Sequence, residues 1–193
     1  MKYKESQKEI IFFLAGFMLG VFYIYFMGDE KGGVTDFFSL QNLMQIRYIE
    51  VVQEEYFLYL VKKRCGILLL LGILSLAIAG KYLLQGFLML LGCSMGSMLS
   101  VLIVRYGLRG MLLFFGFVFP QDLLYIPALF GWVMLLTDWN ERVFGKTNIY
   151  WKKGTERQSM WKRMLFWGGV TIIGLLLECY VNLFFVKCVL KIF

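Results

Sequence analysis

Proline occurs only twice in this chain, at Pro120 and Pro127, and both fall inside an otherwise apolar run from Met111 to Leu136. Gln121 and Asp122 stand between them. A run of this length and apolarity reads as a membrane helix. Proline inside such a helix removes a backbone donor and presses its ring against the preceding turn. Hydrocarbon solvates neither the freed carbonyls nor an amide or a carboxylate, so neighbouring helices have to shield them. The segment therefore predicts a bundle of further spans around it.

Composition agrees. Hydrophobic residues make up 60% of the 193 positions and charged ones 17%, against roughly 45–50% and about 25% in an average globular domain. Mean hydropathy is +0.69. The reading is an integral membrane protein with a single membrane domain over 1–193. The net charge of +7 comes largely from Lys and Arg beside the apolar runs, where the positive-inside rule and anionic headgroups account for it without nucleic acid. The four cysteines, Cys65, Cys93, Cys179 and Cys188, form no Cys-x-x-Cys pair. They read as small buried apolar residues, with neither a disulfide framework nor a metal site implied.

Five spans are predicted, at about 10–27, 65–79, 82–104, 111–136 and 164–186. The first follows a charged head with Lys2, Lys4 and Lys8 and reads as an uncleaved anchor. Its Gly16 and Gly20, four apart, offer either a groove for another helix or two ordinary span glycines. The outer loop 28–64 opens with a Gly32-Gly33 turn and Asp36 as N-cap. Over 37–63 its roughly helical spacing predicts an amphipathic helix on the outer membrane surface. The second span, 65–79, is short, so the upstream helix is expected to run into it. The third carries Gly92, Gly96 and Ser100 on one face, a pattern for close helix packing. A basic loop, 138–163, is bracketed by Trp139, Trp151, Trp161 and Trp167 as interface anchors. With five spans, Lys2, Lys4, Lys8, Lys81 and the bases of that loop share one side. This places the N-terminus and loop 138–163 in the cytoplasm and the C-terminus outside.

Chemistry is sparse. There is no histidine, which the paired Glu54-Glu55 of a CAAX-type or the serine of a rhomboid-type intramembrane protease would need. No second span aspartate joins Asp122 as an aspartyl type would require. Nor is there a nucleotide-binding Gly-x-x-x-x-Gly-Lys loop. The chain is not read as an enzyme, and no cofactor or metal is expected. Two intramembrane acids remain, Asp122 and Glu178. Arg105, Arg109, Gln121 or a protonated Asp122 are the candidate partners of Glu178, and an Asp122–Glu178 pair sharing a proton is one arrangement. The broken segment itself admits two readings: a kink stapled by its polar residues, or a substrate or ion site in a discontinuous helix.

The run Val118-Phe119-Pro120-Gln121-Asp122-Leu123-Leu124-Tyr125-Ile126-Pro127 resembles the stage II sporulation protein M family. That family carries a Pro-[Gln/His]-[Asn/Asp/Gly]-x-x-x-[Ile/Leu]-Pro signature in a membrane helix. Where the wider family often has Glu before the second proline, Tyr125 stands here. The last span, with Leu-Leu-Leu-Glu178-Cys-Tyr, is similar to the family's apolar-Glu-Ala-Tyr pattern. The resemblance implies an all-α polytopic bundle in the septal or engulfing membrane of a spore-forming bacterium. There it would act as scaffold for the peptidoglycan-degrading sporulation proteins D and P in engulfment. Partner spans are expected to dock on the glycine faces, and loop 28–64 to meet the partners' outer domains. A small transporter or permease-type subunit, with Asp122 and Glu178 lining a pathway, is the alternative. Oligomeric state stays open.

Overall fold

The computed structural model describes residues 2–27, 39, 52–119, 121–144 and 155–190. The Gly32-Gly33 turn, the Asp36 cap, most of loop 28–64, Pro120, Trp151 and the centre of the basic loop lie outside the described residues. What is described is helical throughout its ordered elements: α1 (Lys2–Met27), α2 (Gln53–Ser75), α3 (Gly80–Tyr106), α4 (Leu108–Val118), α5 (Gln121–Phe144), α6 (Thr155–Leu177), a π-helical turn (Glu178–Asn182) and α7 (Leu183–Leu190). Three helical stretches are long and apolar enough to cross a membrane: Gln7–Phe26, Gly80–Tyr106 and Met160–Val189. The pair α4 and α5, bent by 61° at the break, counts as a fourth if it is one broken span and not a re-entrant loop. These apolar helices fit a membrane protein.

The stretch expected as the second span, 65–79, is not among these apolar helices. It belongs to helix α2, which starts at Gln53 and stops at Ser75, so the upstream helix runs into the apolar stretch as expected. Its C-terminal turn is held from a distance. The Asn140 side chain at the end of α5 donates to the carbonyls of Ser75 (2.7 Å) and Ala77 (2.8 Å), and Lys81 pairs with Glu141 one residue on. Chain reversal between α3 and α4 falls on Gly107, whose φ of +59° suits a residue without a Cβ.

Helices α1 and α3 form the closest pair, and the glycines explain the approach. A Cβ added to Gly16 would strike the Met89 carbonyl, and one on Gly20 the Cys93 carbonyl. Reciprocally, one on Gly92 would meet the Phe13 carbonyl and one on Gly96 the Phe17 carbonyl. Contact positions rise together in the two helices, so α1 and α3 run parallel. The glycine faces are therefore occupied by each other, which corrects the expectation that partner spans dock there. Helix α2 packs antiparallel to α3, with Leu71 against Leu84 and Leu88 and Val133 of α5 closing the cluster. A second cluster joins Leu60 of α2 to Tyr125, Leu175 and Cys179; a third joins Leu102, Leu113, Phe114 and Val186 across α3, α4 and α7.

Two smaller expectations also change. Cys179 is buried, but Cys65 and Cys188 are exposed. Trp167, expected as an interface anchor, instead lays its indole against Gly131, where any Cβ would collide with it.

Candidate functional site

The break between α4 and α5 is where the polar chemistry collects. Pro120 carries no N–H, so the Gly116 carbonyl one turn earlier has no helical donor. Two side chains repair the gap. Gln121 Nε2 donates to the Phe117 carbonyl at 3.0 Å. With its amide nitrogen turned to the break, Asn182 donates to the carbonyls of Gly116 and Phe119, both at 3.3 Å. Pro127 behaves differently. It lies inside the continuous helix Gln121–Phe144, so only the first proline marks a break.

Glu178 closes the site from the other side, and its partner is Arg64. Nε donates to Oε2 at 3.1 Å, and Nη2 donates to Oε1 at 2.9 Å and to Oε2 at 2.8 Å. The Glu178 side chain is 9% exposed and that of Arg64 22%. The Arg64 guanidinium also lies over the Tyr125 ring, 4.1 Å from its centroid, a cation–π contact. Thus Arg64 meets Glu178 with a forked donor pair, which lysine does not offer, and Tyr125 with its charge. Asp122 stands within electrostatic reach of both Arg64 and Glu178. Among the described residues no hydrogen bond joins Asp122 to Glu178, whose two oxygens are both engaged by Arg64. The shared-proton pair is replaced by a bidentate ion pair.

The π-turn is what makes this possible. Its extra residue per turn shifts the helical phase at Glu178–Asn182. As a result Glu178, Cys179 and Asn182 are all buried, with Glu178 reaching Arg64 and Asn182 reaching the break. Beside the ion pair lies a cavity of about 30 Å³ lined by Arg64, Tyr125, Leu129, Trp132, Thr171 and aliphatic neighbours. That is room for about one water molecule. Trp132 Nε1 donates to Thr171 Oγ1 at 3.3 Å, and Thr171 donates to the Trp167 carbonyl at 2.8 Å. The Tyr125 hydroxyl is buried with no hydrogen bond of standard geometry among the described residues.

Of the residues singled out from sequence, Gln121, Asp122, Tyr125 and Glu178 come together here. Gly16, Gly20, Gly92 and Gly96 meet one another elsewhere, and Pro127 sits nearly two turns along α5. Sequence reasoning passed over Arg64 and Asn182. Comparison with family models, with curated proteins and with solved structures finds no match for this chain. Among the described residues, no group of three or more His, Cys, Asp or Glu is placed to hold a metal ion.

Proposed function

We propose that this chain is a five-span membrane scaffold for the peptidoglycan-degrading engulfment complex of endospore formation, recruiting sporulation proteins D and P at the septal membrane. One observation carries the reading. The two stretches that resemble stage II sporulation protein M, the proline motif and the Glu178 region, are bound into one polar unit by Gln121, Asn182, Arg64 and Tyr125. Residues that carry the likeness thereby serve to set the shape of the bundle, which is what a platform for other proteins requires.

Packing supports the alternation of the spans. Parallel α1 and α3 are what alternating spans demand of the first and third. Helix α2, antiparallel to α3 and in contact with α3, α5 and the π-turn, supplies the span between them despite its three central bases. With the basic residues taken to mark the cytoplasmic side, that alternation has the N-terminus in the cytoplasm and the C-terminus outside. The transporter reading needs a path past Asp122 and Glu178. The cavity beside them is about 30 Å³, and neither acid lines it, so the scaffold is preferred.

The test is co-purification. The tagged chain, co-expressed with sporulation proteins D and P and extracted in mild detergent, is expected to retain at least one of them through washing. Loss of both under conditions where the chain stays monodisperse would overturn the scaffold. Solute flux in proteoliposomes that Asp122→Asn abolishes would put the transporter in its place.

A further inference from the structure

If α2 crosses the bilayer, as the five-span reading has it, Lys62 and Lys63 sit at the wrong depth for lipid. Arg64 is the middle residue of α2, with eleven residues on each side, about 16 Å of helix either way. The antiparallel packing of Leu71 against Leu84 and Leu88 gives the same answer independently. It sets Arg64, seven residues nearer the outer face, opposite about Cys93, the centre of α3. Lys62 and Lys63 lie one or two residues farther out and are both exposed. From there to the outer end of α2 is about 14 Å, more than twice what a lysine stem of about 6 Å covers by snorkelling. Two adjacent ammonium groups at mid-depth are costly against hydrocarbon, and such residues face protein or water instead.

Arg64 has its carboxylate in Glu178; the lysines have none among the described residues. Lys63 lies only over the Tyr59 ring, 5.8 Å from its centroid, within the same helix. The surrounding stripe of α2 is exposed at Leu58, Tyr59, Leu69, Leu70 and Ile73. At Gly66, directly below the lysines, an added Cβ would meet nothing within 4 Å, so another helix has close access. Two explanations compete for the occupant, and charge decides between them. A second copy of α2 inserted in the same direction would bring lysine against lysine, with the exposed Glu54 and Glu55 about 10 Å or more away along the axis.

We infer that the outward stripe of α2 around Lys62, Lys63 and Gly66 is a docking surface for a transmembrane helix of another protein that carries a carboxylate near mid-bilayer. The inference rests on the five-span scaffold reading and gives it a contact surface, in place of the closed glycine faces.

The probe is a synthetic leucine-rich transmembrane peptide with one central Glu, compared with its Gln twin, titrated against the full chain in nanodiscs by fluorescence transfer. The Glu peptide is expected to bind at least about tenfold more tightly. The preference should vanish in Lys62→Ala/Lys63→Ala and persist in Lys62→Arg/Lys63→Arg. A thiol crosslinker on Cys65, exposed on the same stripe, should join chain to peptide in a Cys93→Ser/Cys188→Ser background. Equal binding of the two peptides overturns the inference, as does a preference that survives the double alanine change. A Cys65–Cys65 adduct between copies, or a preference that depends only on replacing phosphatidylcholine with phosphatidylglycerol, also overturns it. Because the peptide assay needs neither hydrolase, its failure leaves co-purification with proteins D and P to speak for itself. Conversely, peptide binding without co-purification would fault the scaffold and not the surface.

Discussion

Removing one partner of the Arg64–Glu178 pair is the sharpest perturbation available. The pair makes three hydrogen bonds of 2.8–3.1 Å with the carboxylate only 9% exposed. Glu178→Leu strands a guanidinium between Tyr125 and apolar neighbours; Arg64→Leu strands the carboxylate. Each single change is expected to cost about 3 kcal/mol, the lower end for breaking a buried ion pair. The lower end applies because an unfolded chain in lipid also finds polar partners. Arg64→Leu/Glu178→Leu removes both charges together and strands no group, so it should cost well below either single change, about 1 kcal/mol or less. The implied coupling is about 5 kcal/mol. Reversible denaturation in mixed micelles of detergent and sodium dodecyl sulfate, across all four members of the cycle, measures it. Additive single losses, with a double variant near 6 kcal/mol on the same ion-pair scale, would refute the claim that these two side chains answer each other.

Two other outcomes follow from the packing. Gly96→Val drives a branched side chain into the Phe17 carbonyl, where backbone cannot yield, and is expected to cost about 2–3 kcal/mol. Gly168→Val, where an added Cβ meets nothing, should cost less than about 0.5 kcal/mol; the same denaturation assay compares the two, and equal losses would count against the α1–α3 seam. Asn182→Leu leaves the Gly116 and Phe119 carbonyls without their donor. It should destabilise by about 1–3 kcal/mol and speed amide hydrogen exchange over 113–126, whereas unchanged exchange there would mean that Asn182 does not close the break.

How legible the site was depends on the distance between partners. The helix break at the first proline is a local matter, since the missing N–H and the ring act within one turn. Gln121, four residues after Phe117, could be read as its repair for the same reason. The glycine spacing is equally local: positions four apart share a helix face whatever the rest of the chain does. Arg64 illustrates the opposite case. In sequence it is the last of three adjacent bases, and such a run reads as an interface cluster. A signal was present nonetheless. Leu60, Arg64 and Leu71 follow i, i+4, i+11, and Leu60 and Leu71 are 3% and 0% exposed. The upstream helix expected to run into the second span carries that phase, which turns Arg64 inward and the two lysines outward. Asn182 carried no such signal, because its inward aim depends on a π-turn that shifts the phase by one residue.

The sequence by itself determined that this chain forms apolar helices, that one of them breaks at Pro120, and that Asp122 and Glu178 need shielding. Each of these follows from chemistry inside a few turns of one segment. Only the tertiary structure decided which group answers Glu178, because Arg64 stands 114 positions away and is one of several bases with the right charge. It also decided that Gly16 and Gly20 close on Gly92 and Gly96, where periodicity shows that a face is small but not what fills it. Pairing across a bundle is selected by depth and rotation together, and neither is written in any one helix.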